Sequence, residues 1–139
     1  MSAKIYPRSP REKMHGWVHL PRFIDKLRLR NAGKLDEDYQ ANVGKGFDGA
    51  WLAAAGTTLE VIEEVVKNSL TDGEVCDWVR ANIQKSEDVK IDFEQSLLRY
   101  GTEGETLERL IFRKKESGFE DRDDIRCMFD YIDADEGRS

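Results

Sequence analysis

Six basic side chains, Arg8, Arg11, Arg22, Lys26, Arg28 and Arg30, crowd into the first thirty residues of the chain. A guanidinium offers two parallel N–H donors that match a carboxylate or a phosphate, so such a cluster has the chemistry of an anion clamp. Arg22 and Lys26 stand four apart and would share one helix face, with Asp25 beside them. Trp17 lies among these charges as either the hydrophobic anchor of the segment or a stacking wall for a flat ligand, with the anchor leading. Tyr39 is the large side chain of a polar stretch and could close one wall. The candidate ligand-binding set is therefore Arg8, Arg11, Trp17, Arg22, Asp25, Lys26 and Tyr39, with no catalytic residue nominated.

His15 and His19 are the two histidines, and their spacing of four would bring both rings to one face of a helix and within reach of one ion. Gly16 and Pro21 oppose that helix. In an extended segment the two lie about 13 Å apart, too far to share a metal. No metal and no cofactor is expected. Gly44-Lys45-Gly46 lacks the frame of a phosphate loop, and Asp133, Asp135 and Gly137 have the wrong spacing for a calcium loop. Cys76 and Cys127 are far apart, without metal-ligand spacing, and read as packing residues.

Charge separates the chain into two parts. Residues 1–34 carry nine Lys or Arg against two acids, whereas residues 35–139 carry 13 against 26, which leaves the whole 139-residue chain at −6. A basic head on an acidic body can dock on that body, on a second copy, or on an external anion. Docking on its own body is the leading reading, and a homodimer is kept open. Nucleic acid is an unfavourable partner, because the acidic body would repel the phosphates that the head attracts. No apolar run approaches the ~18 residues of a spanning helix, and no apolar stretch follows Lys4, so neither a membrane span nor a leader is expected. A soluble, cytoplasmic, globular protein is the expectation.

These side chains must be carried by local structure. Pro7, Pro10 and Gly16 make residues 1–19 irregular or extended. Pro21 suits the first turn of a helix that carries Phe23, Ile24 and Leu27 inward and stops at Gly33. Residues 34–46 read as a loop or short acidic turn, and Phe47 to Ala55 as a short helix ended by Gly56. Thr57 with Glu60, and Thr71 with Glu74, have the spacing of capping boxes ahead of apolar stripes. Val89, Ile91 and Phe93 admit either a short strand or a helix continuing through Leu98. A helix over Leu107, Leu110 and Ile111 follows, and a last one starts at the acidic turn Asp121–Asp124 and uses Ile125, Met128, Phe129 and Ile132. The expected fold is all-α: one domain over 1–139, with an extended basic arm at 1–19 and a body of five to seven short helices at 20–139.

The stretch Tyr6-Pro-Arg-Ser-Pro-Arg11, then Gly16-Trp17 and Leu20-Pro-Arg-Phe-Ile-Asp-Lys26, resembles a family of small bacterial proteins catalogued as a domain of unknown function. The likeness runs through Gly33, Tyr39, the segment from Phe47 to Gly56, Asp72-Gly-Glu74 and Trp78, and covers about the first 85 residues. The resemblance implies a bacterial single-domain protein and transfers no activity. Together with the local positive charge, it makes a non-enzymatic binding module the leading function, for a small anionic ligand or an acidic protein segment. The alternative is a small enzyme that uses Asp25 and a histidine as acid and base.

Overall fold

In the computed structural model, which describes residues 4–138, the arm holds a minimal hairpin. Lys13–Met14 (β1) pairs antiparallel with Trp17–Val18 (β2), Lys13 opposite Val18 and Met14 opposite Trp17. The connecting residues, His15 (φ 51°) and Gly16 (φ 82°), are both left-handed, as a two-residue hairpin loop of matching twist requires. The reversal also brings the backbone of Gly16 against Lys90, whose Cδ would lie 3.0 Å from an added Cβ. The positive φ favours glycine here, and a larger residue would also have to displace the Lys90 side chain.

The described residues form two units, one ending at Ile91 and one starting at Asp92. In the first, α1 (Leu20–Asn31) follows the hairpin directly, with Pro21 in its first turn and Arg28 and Arg30 in its last. Cations at that end complement the negative pole of the helix. A single turn, α2 (Glu37–Gln40), is capped by Asp36, whose carboxylate accepts from the Asp38 N–H. The helix α3 (Phe47–Ala55) stops at Gly56 in the left-handed conformation. Two further helices, α4 (Leu59–Lys67) and α5 (Asp72–Asn82), complete the unit. The α1 helix packs on α3 and α4, and α4 packs on α5.

Three aromatic rings form the centre of this core. Trp51 meets Trp17 and Phe23 edge to face, each at 6.0 Å between centroids, and all three are fully buried. Such pairs add about 0.5–1.5 kcal/mol each to the gain from burial. Leu20, Ile24 and Leu27 of α1, Ile62 and Val66 of α4, and Val75 and Val79 of α5 are buried as well. Of the stripes that follow the two threonines, Ile62, Val66, Val75, Val79 and Ile83 are buried, whereas Leu59, Val65 and Trp78 are half-buried.

The caps differ in detail from the expectation. Thr58, not Thr57, caps α4 and accepts from the Val61 N–H. Thr71 caps α5 by accepting from the Glu74 N–H, but the Glu74 carboxylate accepts from Leu70 rather than from the cap residue. Val89, Ile91 and Phe93 lie in a helix, α6 (Glu87–Arg99), which settles the helix-or-strand alternative.

In the second unit, α7 (Gly104–Glu116) and α8 (Met128–Asp135) pack together. Leu110, Ile125, Tyr131 and Ala134 form the buried cluster, with Phe119, Met128 and Ile132 against it. The last helix starts later than the sequence suggested. Ile125 is buried but lies ahead of α8; before it Arg122 closes on Asp124 with two hydrogen bonds, and after it the Asp130 carboxylate in the first turn of α8 accepts from the Arg126 N–H. The described residues thus hold eight helices and one two-stranded ribbon, a mostly helical fold. The helix beyond the expected five to seven is the single turn α2. Among the described residues no helix is long and apolar enough to cross a membrane.

Candidate functional site

Arg8 joins the arm to the body. Its backbone N–H and its Nε both donate to Asp25 Oδ2 at 2.9 Å, and Nη2 donates to Asp25 Oδ1 at 3.0 Å. The remaining edge of the fork turns to α5, where Nη1 donates to Asp72 Oδ2 at 2.7 Å. Arg28, one helical turn beyond Asp25, donates from Nη1 to the other oxygen of Asp72 at 2.5 Å. Two guanidinium groups thereby converge on one carboxylate. Burial alone would raise the Asp72 pKa, but the bonds from Arg8 and Arg28 outweigh it and hold the group below its usual value. The Nη2 of Arg28 is enclosed and has no hydrogen-bond partner. The Asp72 side chain is 40% exposed, so solvent reaches the carboxylate end of this cradle.

Cations also gather beside the cradle. Arg22 donates from Nη1 to the Arg8 carbonyl at 3.1 Å, and its guanidinium carbon lies 5.6 Å from the centroid of Tyr39. Lys4 Nζ lies 5.5 Å from the same ring and donates to Asp38 at 2.8 Å. Arg30 pairs with Glu63 on α4. The positive head therefore docks largely on acids of its own unit.

A second polar cluster is sealed inside the unit. Asp48, on the first turn of α3, accepts from Lys26 Nζ at 2.6 Å and from the Gly44 N–H at 3.1 Å, and its Oδ1 lies 2.6 Å from His19 Nε2. His19, Lys26 and Asp48 are all buried. Burial drives the His19 pKa down, and its neutral ring then donates to Asp48 through Nε2–H. Burial would push Asp48 the other way, but the bond from His19 and the charge of Lys26 keep it ionised and its pKa below normal. His19 Nδ1 has no hydrogen-bond partner, and the residue adopts φ 73° at the start of α1. That conformation is uncommon outside glycine, and histidine is among the side chains that tolerate it.

The candidate residues fall into three places. Arg8, Asp25, Arg22 and Tyr39 come together on the arm side of α1. Lys26 belongs to the buried Asp48 cluster instead, and Trp17 is fully enclosed beside Trp51, with Lys90 Nζ 5.9 Å from its ring. Arg11 is exposed, on the far side of Pro10 from Arg8. Asp25 and His19 engage different partners, and His15 is exposed at the hairpin turn. Among the described residues no group of three or more His, Cys, Asp or Glu side chains is placed to hold a metal.

Sequence reasoning missed Asp72, Asp48 and the cradle role of Arg28. Asp48 had a legible signal, being the single charge within the apolar run from Phe47 to Ala55. A lone acid at a helix start surrounded by core residues must find buried donors or forfeit several kcal/mol. Asp72 had none, because an acid in the first turn of a capped helix is ordinary.

No match was found among curated proteins. A family model described as a domain of unknown function matches residues 4–138, which takes in the arm, the arginine cradle, the buried Asp48 cluster and the second unit alike. The chain belongs to the DUF5069 family.

Proposed function

We propose that the chain is a non-enzymatic binding module that takes a small carboxylate or phosphate anion into the Arg8–Arg28 cradle. The observation that carries this reading is the convergence of Arg8 Nη1 and Arg28 Nη1 on the two oxygens of Asp72. The Asp72 carboxylate stands where a ligand carboxylate or two phosphate oxygens would sit, and it is the more exposed of the two acids that Arg8 holds. An incoming anion displaces Asp72 and leaves Arg8 anchored through Asp25. Arg22 and Tyr39 flank the arm side of the site through the Arg8 backbone. Charge-assisted donors held in place beforehand lose little entropy on binding, which suits a small ligand.

The test is calorimetric titration of the whole chain with inorganic phosphate, with succinate, and with a short glutamate-rich peptide. Asp72→Asn, which keeps the shape and removes the competing charge, should tighten phosphate or succinate binding by about tenfold, equivalent to one hydrogen bond to a charged group. Arg28→Lys should weaken it. Binding of the peptide alone would replace the small anion by an acidic protein segment. No binding of any of the three by the wild type or by Asp72→Asn would overturn the reading.

A further inference from the structure

Away from the cradle, α7 leaves a face open. Ile111 is 57% exposed and Phe112 62%, in a helix whose opposite side buries Leu110. Glu108 and Lys115 are exposed and seven residues apart, so they lie along one line of the helix surface, with Ile111 to one side and Phe112 to the other. The charges of α7 are also unevenly placed along its length: Glu105 and Glu108 lie in the first half and Arg113, Lys114 and Lys115 in the last turn, with Arg109 and Glu116 as the exceptions.

That order makes the face complementary to itself when reversed. We propose that α7 is the contact of a homodimer in which two copies of the helix pack antiparallel about a two-fold axis. With the axis between Ile111 and Phe112, each of these side chains meets its own symmetry mate. Glu108 of each copy then lies opposite Lys115 of the other, three to four residues from the centre on either side. A two-fold contact has to be self-complementary in this sense, since every residue i that meets j is matched by j meeting i. A parallel arrangement would set Glu108 against Glu108 and Lys115 against Lys115, which like-charge repulsion opposes. On the Phe112 side of the axis lies a groove lined by Tyr100 and Met128 and by the charged Glu105, Glu108, Arg109, Arg113 and Glu116, so this side offers the partner charge as well as apolar surface. Surface ion pairs contribute little net affinity but select orientation. The apolar pairs supply the attraction and the charges set its direction. One helix face is small against the ~800 Å² per partner of a standard interface, so the dimer forms and dissociates with concentration.

Sedimentation velocity of the whole chain from about 1 to about 500 µM brackets the range in which so small an interface assembles. A concentration-dependent shift from monomer to dimer is expected, weakened by added salt. Phe112→Asp and Ile111→Glu should each abolish the shift with the melting temperature unchanged, because both side chains are exposed in the monomer. Glu108→Lys and Lys115→Glu should each weaken the dimer at least tenfold, and the two together should restore it. A chain monomeric throughout, a dimer indifferent to Phe112→Asp, or a double exchange no better than the single ones would overturn the proposal. Capture of a different protein by this face without self-association would overturn the second copy as its occupant.

Discussion

His19 Nε2 lies 2.6 Å from Asp48 Oδ1, and neither side chain reaches solvent. Through this pair the residue that ends the hairpin and begins α1 is fastened to the start of α3. Lys26 closes the same carboxylate about two turns further along α1. The arm, α1 and α3 are thereby held together at one carboxylate.

Removing that carboxylate's charge should be costly. Asp48→Asn strands the buried Lys26 ammonium, and a broken buried pair typically costs about 3–5 kcal/mol. Urea unfolding followed by circular dichroism measures it. A loss below about 1 kcal/mol would mean that Lys26 finds water or another acceptor.

Acid should loosen the same cluster in two stages. The folded His19 pKa lies below its unfolded value, so the unfolded chain takes up the proton first, and stability present above about pH 6.5 is lost as pH falls below it. The Asp48 pKa is depressed too, so its contribution holds above the ordinary carboxylate range and disappears below it. His19→Asn, which tolerates the left-handed backbone, should flatten the first stage and shrink the second, because the bond from His19 is one of the two causes that hold the Asp48 pKa down. Thermal midpoints from pH 8 to pH 3 would reveal an unchanged profile if the assignment is wrong.

The two-way grip of Arg8 should depend on its fork and not on its charge alone. Arg8→Lys keeps the cation but cannot hold Asp25 through two oxygens and Asp72 at once. The group is partly exposed, so the stability loss should be modest, about 1 kcal/mol. Hydrogen exchange should be faster in residues 8–12 and unchanged in α4. Arg11→Ala, at an exposed position, should stay within about 0.5 kcal/mol of the parent. Equal losses for the two would remove the distinction drawn between them.

In the second unit, Gly101 has φ 100°, and a Cβ there would come within 2.9 Å of the Met128 nitrogen. That nitrogen donates to the Tyr100 carbonyl at 2.9 Å, so the chain cannot easily retreat. Gly101→Ala should destabilise by about 1–3 kcal/mol through backbone strain. Serine at Gly118, where an added Cβ meets nothing, should cost less, since only its positive φ opposes it. Thermal melts of the two variants decide it.

Most of the helices could be read directly from the sequence, because they follow from local rules. Pro21 at the start of α1, Gly56 after α3 and the stripes Ile62 with Val66 and Val75 with Val79 each act within a few residues, and the structure uses them as the spacing implies. The acidic turn Asp121–Asp124 and the stripe from Ile125 pointed to one helix start, yet α8 begins at Met128 and Ile125 is buried ahead of it. The basic head was evident by composition alone, and docking on the acidic body was the leading reading of that charge. Asp38, Asp48, Glu63 and Asp72 of that body do take its cations, but Arg8 also pairs with Asp25 inside the head.

What composition could not supply was the choice of partners. Arg8 meets Asp25 across 17 positions and Asp72 across 64, and Arg28 meets the same Asp72 across 44. Lys26 and Asp25 are neighbours in sequence, yet one points into the core and the other to the arm, because successive helix residues are about 100° apart. Among 28 acids, charge alone cannot say which carboxylate a guanidinium will reach. The packing of α1 on α3 and α4 decides that, since it sets which side chains face each other before any charge is paired.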